Sequence, residues 1–301
     1  MKLELIDIKK SFAGKEVLHG INLETSSGSS TAFLGRNGAG KTTTIRILMD
    51  VFKADSGKIL IDGVPIDRKE IKLGYLPEER GMYAKSAILD QLIYFGRIKG
   101  LSKKESHDNA IELLEKVKLS EYKAKNLDTL SKGNQQKIQI IQTFINKPDI
   151  IILDEPFSGL DPVNSQILID LIKEAVSSGT LLIFSSHQMS HVENFCDNIA
   201  LIKDGKNVLT GNLKEIKKNM GEGRLRLSFY NDAVNYLQDI FDLAGQDNVS
   251  IKDNDIIVRT SDKADELAKF AIGKDNFRAI AKYEPSLEEI FIEAVGDKDE
   301  E

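Results

Sequence analysis

The sequence predicts an α/β protein, with a larger domain built on a mostly parallel sheet and a small α+β domain after it. Three observations carry this. Two short, nearly all-apolar runs, Ile150–Leu153 and Leu181–Phe184, flank a helix-periodic stretch at about 162–177. Continuous apolar strands are buried on both faces, the habit of parallel sheets, so this reads as a strand–helix–strand unit. A glycine-rich turn, "GRNGAGKT" (Gly35–Thr42), separates an apolar strand from a helix. The pattern then breaks near "NMGEGRL" (219–225), after which the order is strand, helix, strand, strand, helix, strand. A length of 301 residues agrees with two domains at roughly 150 residues each.

The elements follow in order. Residues 1–35 read as strands: "KLELIDI" alternates, "VLHGINLET" alternates weakly, and "SSTAFLG" is a short apolar run. A helix over 41–50 follows the glycine-rich turn, and "GKILIDG" is a further strand between turn glycines. From about 86 to 124 the pattern is helical, with Ser102 and Glu105 forming a capping box for a helix to about Lys118. The helix after Ser131 buries Ile138, Ile141 and Ile145 on one face, with Ile140 and Phe144 beside them, and stops before Pro148. Beyond 220 the spacing predicts strands at 224–230, 247–252, 255–260 and 277–283, and helices at 232–243 and 262–272, a ferredoxin-like order. Ser286 and Glu289 cap a last helix to about Val295, and 297–301 is a charged, solvated tail.

Composition bounds the function. Hydrophobic content of 41% and charged content of 29% are those of an ordinary soluble globular protein. A net charge of −6 gives no electrostatic case for nucleic acid as the main partner. One cysteine, Cys196, cannot form an internal disulfide, so a reducing compartment fits, and its apolar-spaced segment reads as core. The N-terminus has no apolar run of signal-peptide length, and no stretch approaches the ~20 apolar residues of a membrane span. If the protein works at a membrane, another chain must cross it.

Gly35–Thr42 matches G-x-x-x-x-G-K-[ST] in the strand–loop–helix context that pattern requires. Glycines let successive N–H groups turn inward around phosphates, and the helix N-terminus adds partial positive charge. Lys41 can reach β- and γ-phosphates, and Thr42 can hold Mg2+. The strand at Ile150–Leu153 delivers Asp154 and Glu155 beyond its carboxyl end, where ligands of open α/β sheets sit. Asp154 suits a Mg2+ contact through water, and Glu155 suits a base or an orienter of water. Capping of the next helix by these carboxylates is a weaker reading, because Pro156 and "FSGLD" delay that helix. A third strand delivers His187. A zinc pair with His191 is disfavoured, since a zincin would want Glu at 188 and the residue is Gln188. His19 and His107 have no partners nearby in sequence and read as surface or packing residues.

A second candidate anion site lies at "LSKGNQQK" (Leu130–Lys137), where a serine, a glycine and amide side chains open a helix. With "GRNGAGKT", "LSKGNQQK", "IIILDEP", "SGLD" and "SSH" in this order, the chain resembles the ATP-binding cassette (ABC) family over roughly 1–220. The resemblance implies a P-loop NTPase cassette: a RecA-like core, an antiparallel β subdomain and a helical subdomain at about 86–145. It divides the chain into a cassette (1–220), an accessory α+β domain (221–296) and the tail (297–301). It also implies ATP and Mg2+ as ligands, and two cassettes paired head to tail, as a homodimer or a heterodimer.

Carried over residue by residue, the resemblance assigns these roles. Phe12 in "KKSFAGKEVL" stacks on adenine. Gly35, Arg36, Asn37, Gly38, Ala39, Gly40, Lys41, Thr42 and Thr43 surround the phosphates. Thr42, Glu78 and Asp154 serve the metal. Glu155 is the catalytic carboxylate and His187 contacts the γ-phosphate and helps hold the attacking water. Ser131, Gly133 and Asn134 cap the nucleotide of the partner cassette, and Asp161 crosses the interface. Two departures stand out: Glu78 where the family has Gln, which adds negative charge near the γ-phosphate, and Lys132 where it has Gly, read as facing solvent.

The finer resemblance, on "GYLPEERG" and "LSKGNQQK", is to bacterial exporter ATPases of the sodium-extrusion and drug-resistance type. That implies an integral membrane permease on a separate chain, a short helix of which docks on the helical region near the Glu78 loop. The expected location is cytoplasmic, peripheral at the inner face of the membrane. Two other readings compete: a soluble cassette protein acting on ribosomes or DNA, and a nucleotide-responsive regulator with weak hydrolysis. The single P-loop, the lack of a heptad run and the acidic charge oppose the first. Intact Lys41, Asp154, Glu155 and His187 oppose the second.

Overall fold

The computed structural model describes residues 1–78, 81–252, 254–260 and 263–296. Glu79 and Arg80 of "YLPEER", Asp262 at the start of one expected helix, and the 297–301 tail lie outside these. Chain contacts divide the molecule into two units, Met1–Leu213 and Lys214–Glu301.

The first unit begins with strands β1 (Lys2–Phe12), β2 (Lys15–Ser26) and β3 (Ser30–Leu34), then helix α1 (Lys41–Leu48). Strands β4 (Ser56–Ile61), β5 (Val64–Pro65) and β6 (Leu73–Leu76) follow. Helices α2 (Ile88–Ile98), α3 (Lys103–Lys116) and α4 (Lys132–Phe144) come next. The unit closes with β7 (Ile150–Leu153), α5 (Pro162–Ser177), β8 (Leu181–Ser186), α6 (Met189–Phe195), β9 (Asn198–Lys203) and β10 (Lys206–Asn212).

These strands make two sheets. One is antiparallel, in the order β2-β1-β4-β5. The other has the order β10-β9-β3-β8-β7-β6, parallel throughout except for β10, which pairs antiparallel with β9. Every residue of β3, β7 and β8 is buried, which is why these strands read as unbroken apolar runs rather than as alternation. The main core packs Ile150, Ile152, Leu181 and Ile183 of the parallel sheet with Ile45 and Leu48 of α1 and with Leu3, Leu5 and Leu23 of the antiparallel sheet. At about 1.5–3 kcal/mol for each fully buried aliphatic side chain, this shared cluster is what holds the phosphate-loop helix against both sheets.

Local signals set the helix starts. Ser102 and Glu105 form a reciprocal capping box at α3, Ser131 caps α4 through the Asn134 N–H, and Asp161 caps α5, with Pro162 at the first helical position. Ile138, Ile140, Ile141, Phe144 and Ile145 are all buried, as the periodicity requires. In α2 and just before it, Tyr83, Tyr94 and Phe95 make an aromatic cluster with ring centroids 5.5–6.3 Å apart. Tyr83 and Tyr94 remain 57% and 50% exposed.

The second unit holds α7 (Leu213–Gly221, whose first residue closes the first unit), β11 (Arg224–Phe229), α8 (Leu237–Ala244), β12 (Val249–Lys252), β13 (Asp255–Arg259), α9 (Ala264–Ile272), β14 (Phe277–Lys282) and α10 (Leu287–Val295). Its sheet is antiparallel, in the order β12-β13-β11-β14. The core behind it contains Leu227, Phe229, Ile240, Ile256, Val258 and Leu267. Ser286 and Glu289 form the capping box of α10. The helix expected at 232–243 differs from the structure. Asp232 is left-handed (φ 51°), a short 3-10 turn covers Ala233–Tyr236, and the α-helix starts only at Leu237. Helix α6 has no counterpart among the sequence-based expectations. His19 is half-buried and His107 exposed, as expected of surface or packing residues, although each has a carboxylate close by in sequence: Glu16 at 3.1 Å and Asp108 at 3.3 Å.

Candidate active site

The chemistry-bearing side chains collect at the carboxyl ends of β3, β7 and β8, three adjacent parallel strands. The loop from β3 to α1 carries positive φ at Gly35 (153°), Gly38 (82°) and Gly40 (110°). At Gly40 a side chain would also strike Leu18, with a Cβ only 2.6 Å from it, so this turn is open to glycine alone. The loop is held from behind. The Gly205 N–H donates to the Ala39 carbonyl at 3.0 Å, and a Cβ on Gly35 would lie 2.4 Å from the Ile202 carbonyl oxygen.

Lys41 is 6% exposed. Its Nζ donates to the Gly35 carbonyl at 2.7 Å and the Arg36 carbonyl at 3.2 Å, so the ammonium sits inside the loop. Burial lowers its pKa, and the charges of Glu155, Asp154 and Glu78 oppose that shift. Thr42 lies one residue into α1, its hydroxyl 3.4 Å from Asp154 Oδ1. Asp154 is 1% exposed. A buried cation, helix-terminal amides, a hydroxyl and a carboxylate together match an anion and a hard divalent metal. The donor set therefore fits a nucleotide with Mg2+.

Glu155 follows Asp154 with φ 48°, a left-handed conformation that costs a non-glycine residue about 1–2 kcal/mol. The residue after it is Pro156, which removes the option of continuing as a helix. The Glu155 N–H donates to Ser185 Oγ at 2.9 Å, and that hydroxyl donates to Asp154 Oδ1 at 2.5 Å. The Glu155 carboxylate, with its side chain 12% exposed, lies 2.8 Å from His187 Nδ1. Helix α5 is capped by Asp161, not by Asp154 or Glu155. His191 does not join His187 as a ligand pair; it packs on Phe157 with ring centroids 4.6 Å apart. Among the described residues no group of three or more His, Cys, Asp or Glu could by itself hold a metal ion.

Phe12 closes β1 and is part-exposed, with its ring edge-on to Phe52 at 5.2 Å. Arg46 of α1 lies over the Phe52 ring, its guanidinium carbon 6.0 Å from the centroid. Glu78, just after β6, is exposed.

Ser131, Gly133 and Asn134 are set elsewhere, at the start of α4, and Lys132 beside them is exposed. Their neighbours belong to the segment after β7. Gln136 donates to the Ser158 carbonyl at 3.3 Å. A Cβ on Gly133 would lie 2.8 Å from Asn164 Nδ2, and Asn164 in turn binds both Asp161 oxygens at 2.8 Å. So the second candidate anion site and the Asp161 loop form one connected patch.

Sequence reasoning missed Ser185, Asn164, Phe52 and the contact that Gln136 makes with Ser158. Ser185 had a signal: it stands two residues before His187 at a strand end, and period two puts both on one face. The other three are contacts between segments distant in sequence, and no local pattern marks them. Cys196 is held with its thiol 2.8 Å from the Asn198 carbonyl, and burial pushes that thiol up to about 12.

Comparison with known proteins follows the same division. Residues 18–158 match the family described as "ABC transporter", and 211–295 match "ATP-binding protein DrrA1-3-like, C-terminal domain". An ABC transporter ATP-binding protein of Bacillus subtilis, YhaQ, is 38% identical over 98% of each chain. The linearmycin resistance ATP-binding protein LnrL of the same organism is 30% identical over 98% of each. Among solved structures, cbiO1 of Clostridium perfringens, described as part of the ABC transporter complex cbiONQ, aligns with a TM-score of 0.63 at 28% identity. That alignment covers 71% of this chain and 89% of cbiO1.

Proposed function

The chain belongs to the family of ABC transporter ATP-binding proteins, ATPases that use ATP with Mg2+, and we propose that it powers a separate membrane subunit by ATP-driven pairing of two cassettes, in the direction of export. The observation that carries this reading is the split arrangement. One chain holds the phosphate loop with Lys41, Asp154, Glu155 and His187, and on a different helix the capping segment Ser131–Asn134. The second segment has no use until another cassette supplies a phosphate for the start of α4.

In this reading the residues act as follows. Mg2+, held by Thr42, Asp154 and Glu78, would supply neutralisation of the charge that develops during phosphoryl transfer. The loop 35–43 holds the phosphates through backbone N–H groups, and Lys41 turns from its loop carbonyls toward them. Thr42, Asp154 and Glu78 serve the metal, Asp154 through water. Glu155 orients or deprotonates the attacking water, and His187 holds Glu155 and the γ-phosphate in line. Phe12, braced by Phe52, offers a face to adenine. Ser131, Gly133 and Asn134 close on the partner's nucleotide, and Asp161 reaches across the interface. Loss of the γ-phosphate frees that interface.

The membrane partner is supported by the aromatic cluster of Tyr83, Tyr94 and half-buried Phe95, whose exposed tyrosines offer a platform for an apolar helix of another chain. No helix among the described residues is long and apolar enough to cross a membrane. Export is supported by the resistance named for LnrL. We propose 1–220 as the functional cassette and 221–296 as its accessory domain, working at the cytoplasmic face of the membrane.

The test is size-exclusion chromatography of Glu155→Gln with and without ATP, beside Mg-ATPase rates of the wild type. The expected result is an ATP-dependent dimer of the variant and hydrolysis by the wild type. A variant that stays monomeric with ATP even when its membrane partner is present counts against the composite site.

A further inference from the structure

We propose that Ser185 is a positioning residue for hydrolysis, one hydroxyl that fixes the metal-side Asp154 and the water-side Glu155 relative to one another. This rests on the site assignment under Proposed function.

The hydrogen-bond inventory leaves no freedom. A serine hydroxyl has one hydrogen, and an ionised carboxylate only accepts. The hydrogen of Ser185 therefore goes to Asp154 Oδ1, 2.5 Å away, and a lone pair of Oγ receives the Glu155 N–H at 2.9 Å. Ser185 is fully buried and Asp154 nearly so, so this hydroxyl and not bulk water meets both groups.

The placement follows from the sheet. Strands β7 and β8 run parallel, with Leu153 opposite Phe184. The next residue on each strand, Asp154 and Ser185, is thus brought side by side at the strand ends. Two consequences follow. Asp154 Oδ1 also lies 3.4 Å from Thr42 Oγ1, but the shorter, charge-assisted bond from Ser185 is the one that sets the rotation of the carboxylate. And Glu155 holds a left-handed backbone before proline, which survives only if neighbouring groups over-determine it. The bond to its N–H is such a constraint, and it lies one residue from the carboxylate that meets His187. The same strand thus supplies His187 and the anchor of its partner.

The experiment uses the full chain with Ser185→Ala and Ser185→Thr, and Glu155→Gln as a control. Binding of ATP is measured by displacement of a fluorescent nucleotide, in EDTA and across a Mg2+ titration. Single-turnover hydrolysis and melting temperature are recorded on the same samples. For Ser185→Ala, binding in EDTA stays within about twofold of wild type. The enhancement of binding by Mg2+ and the rate per folded molecule each fall by roughly 10- to 100-fold, the usual cost of losing a group that orients a metal ligand. Ser185→Thr keeps the hydroxyl and retains both.

If Ser185→Ala keeps the Mg2+ enhancement and the rate while only its melting temperature drops, the hydroxyl is merely structural and the inference is overturned. A folded Ser185→Thr that falls as far as the alanine variant overturns it too. If Glu155→Gln hydrolyses like wild type, the site assignment fails first and the inference with it. If Glu155→Gln is inactive and Ser185→Ala is not impaired, the inference alone fails.

Discussion

His187 Nδ1 and a Glu155 carboxylate oxygen lie 2.8 Å apart, one on a strand end and the other on a left-handed turn from the neighbouring strand. The contact makes the two side chains one unit, and residues that act as a unit lose activity non-additively. We expect His187→Ala to lower the hydrolysis rate by about 100-fold or more, the lower range for a positioned proton-transfer group. The Glu155→Gln/His187→Ala double variant should be no worse than Glu155→Gln alone. Multiplicative rate losses in single-turnover assays would mean that the two act separately.

Phe12 is 39% exposed, with Phe52 edge-on to its ring at 5.2 Å and Lys10 Nζ over the ring at 5.4 Å from its centroid. If that ring stacks on adenine, Phe12→Ala removes about 1–3 kcal/mol of stacking. ATP affinity should then drop roughly 5- to 150-fold. Phe12→Tyr should bind as wild type. Titration with ATP and with inorganic triphosphate separates stacking from a general loss of the loop, since loss of stacking alone leaves triphosphate affinity unchanged.

Gly133 packs on Asn164 so closely that a methyl group there must move it from Asp161. Alanine favours a helix over glycine by about 1 kcal/mol, so Gly133→Ala should melt no lower than its parent. In the Glu155→Gln background it should nonetheless weaken ATP-dependent pairing, because the Asn164 side chain is displaced from Asp161. Light scattering at a series of protein concentrations decides this; pairing equal to that of the parent would show the contact to be idle.

In the second unit Glu289 joins four groups. Burial pushes its pKa up, but bonds from the Tyr283 hydroxyl, from the Ser286 N–H and hydroxyl, and from Lys252 outweigh that and hold it at about 2. A carboxylate depressed from its usual value of about 4.3 adds stability above that pH. The contribution vanishes as the pH falls through the window toward 2. Amide exchange in α10, corrected for intrinsic rates, should therefore lose protection between about pH 4.5 and 2 in the wild type. Glu289→Gln should begin less protected and show a flatter profile. Parallel profiles would remove Glu289 from the account of how α10 is held.

The parts legible in the sequence were those set by neighbours along the chain. Helix α5 was readable to the residue, because Asp161-Pro162 starts it and the apolar period runs to its end. The unbroken apolar character of β7 and β8 announced strands covered on both sides. Lys41, Asp154, Glu155 and His187 could be named because each stands directly beyond an identifiable strand or turn. What the sequence hid depends on pairing across the sheet. Nothing local says that β3 lies between β8 and β9, or that the Ser185 hydroxyl reaches two acidic neighbours at once. Nor does any pattern reveal the left-handed Asp232, which shortens helix α8 at its start. Asp and Asn tolerate that conformation well enough that sequence alone leaves it undecided.

Strand β3, which leads into the phosphate loop, has both its partners far downstream: β8 begins at Leu181 and β9 at Asn198. The loop's rear support, Gly205, is later still. During synthesis at about 5–20 residues per second, the loop exists without its neighbours for on the order of ten seconds. Strand β3 and the loop it leads into therefore gain their full set of supports only when the last strands of the first unit have been made.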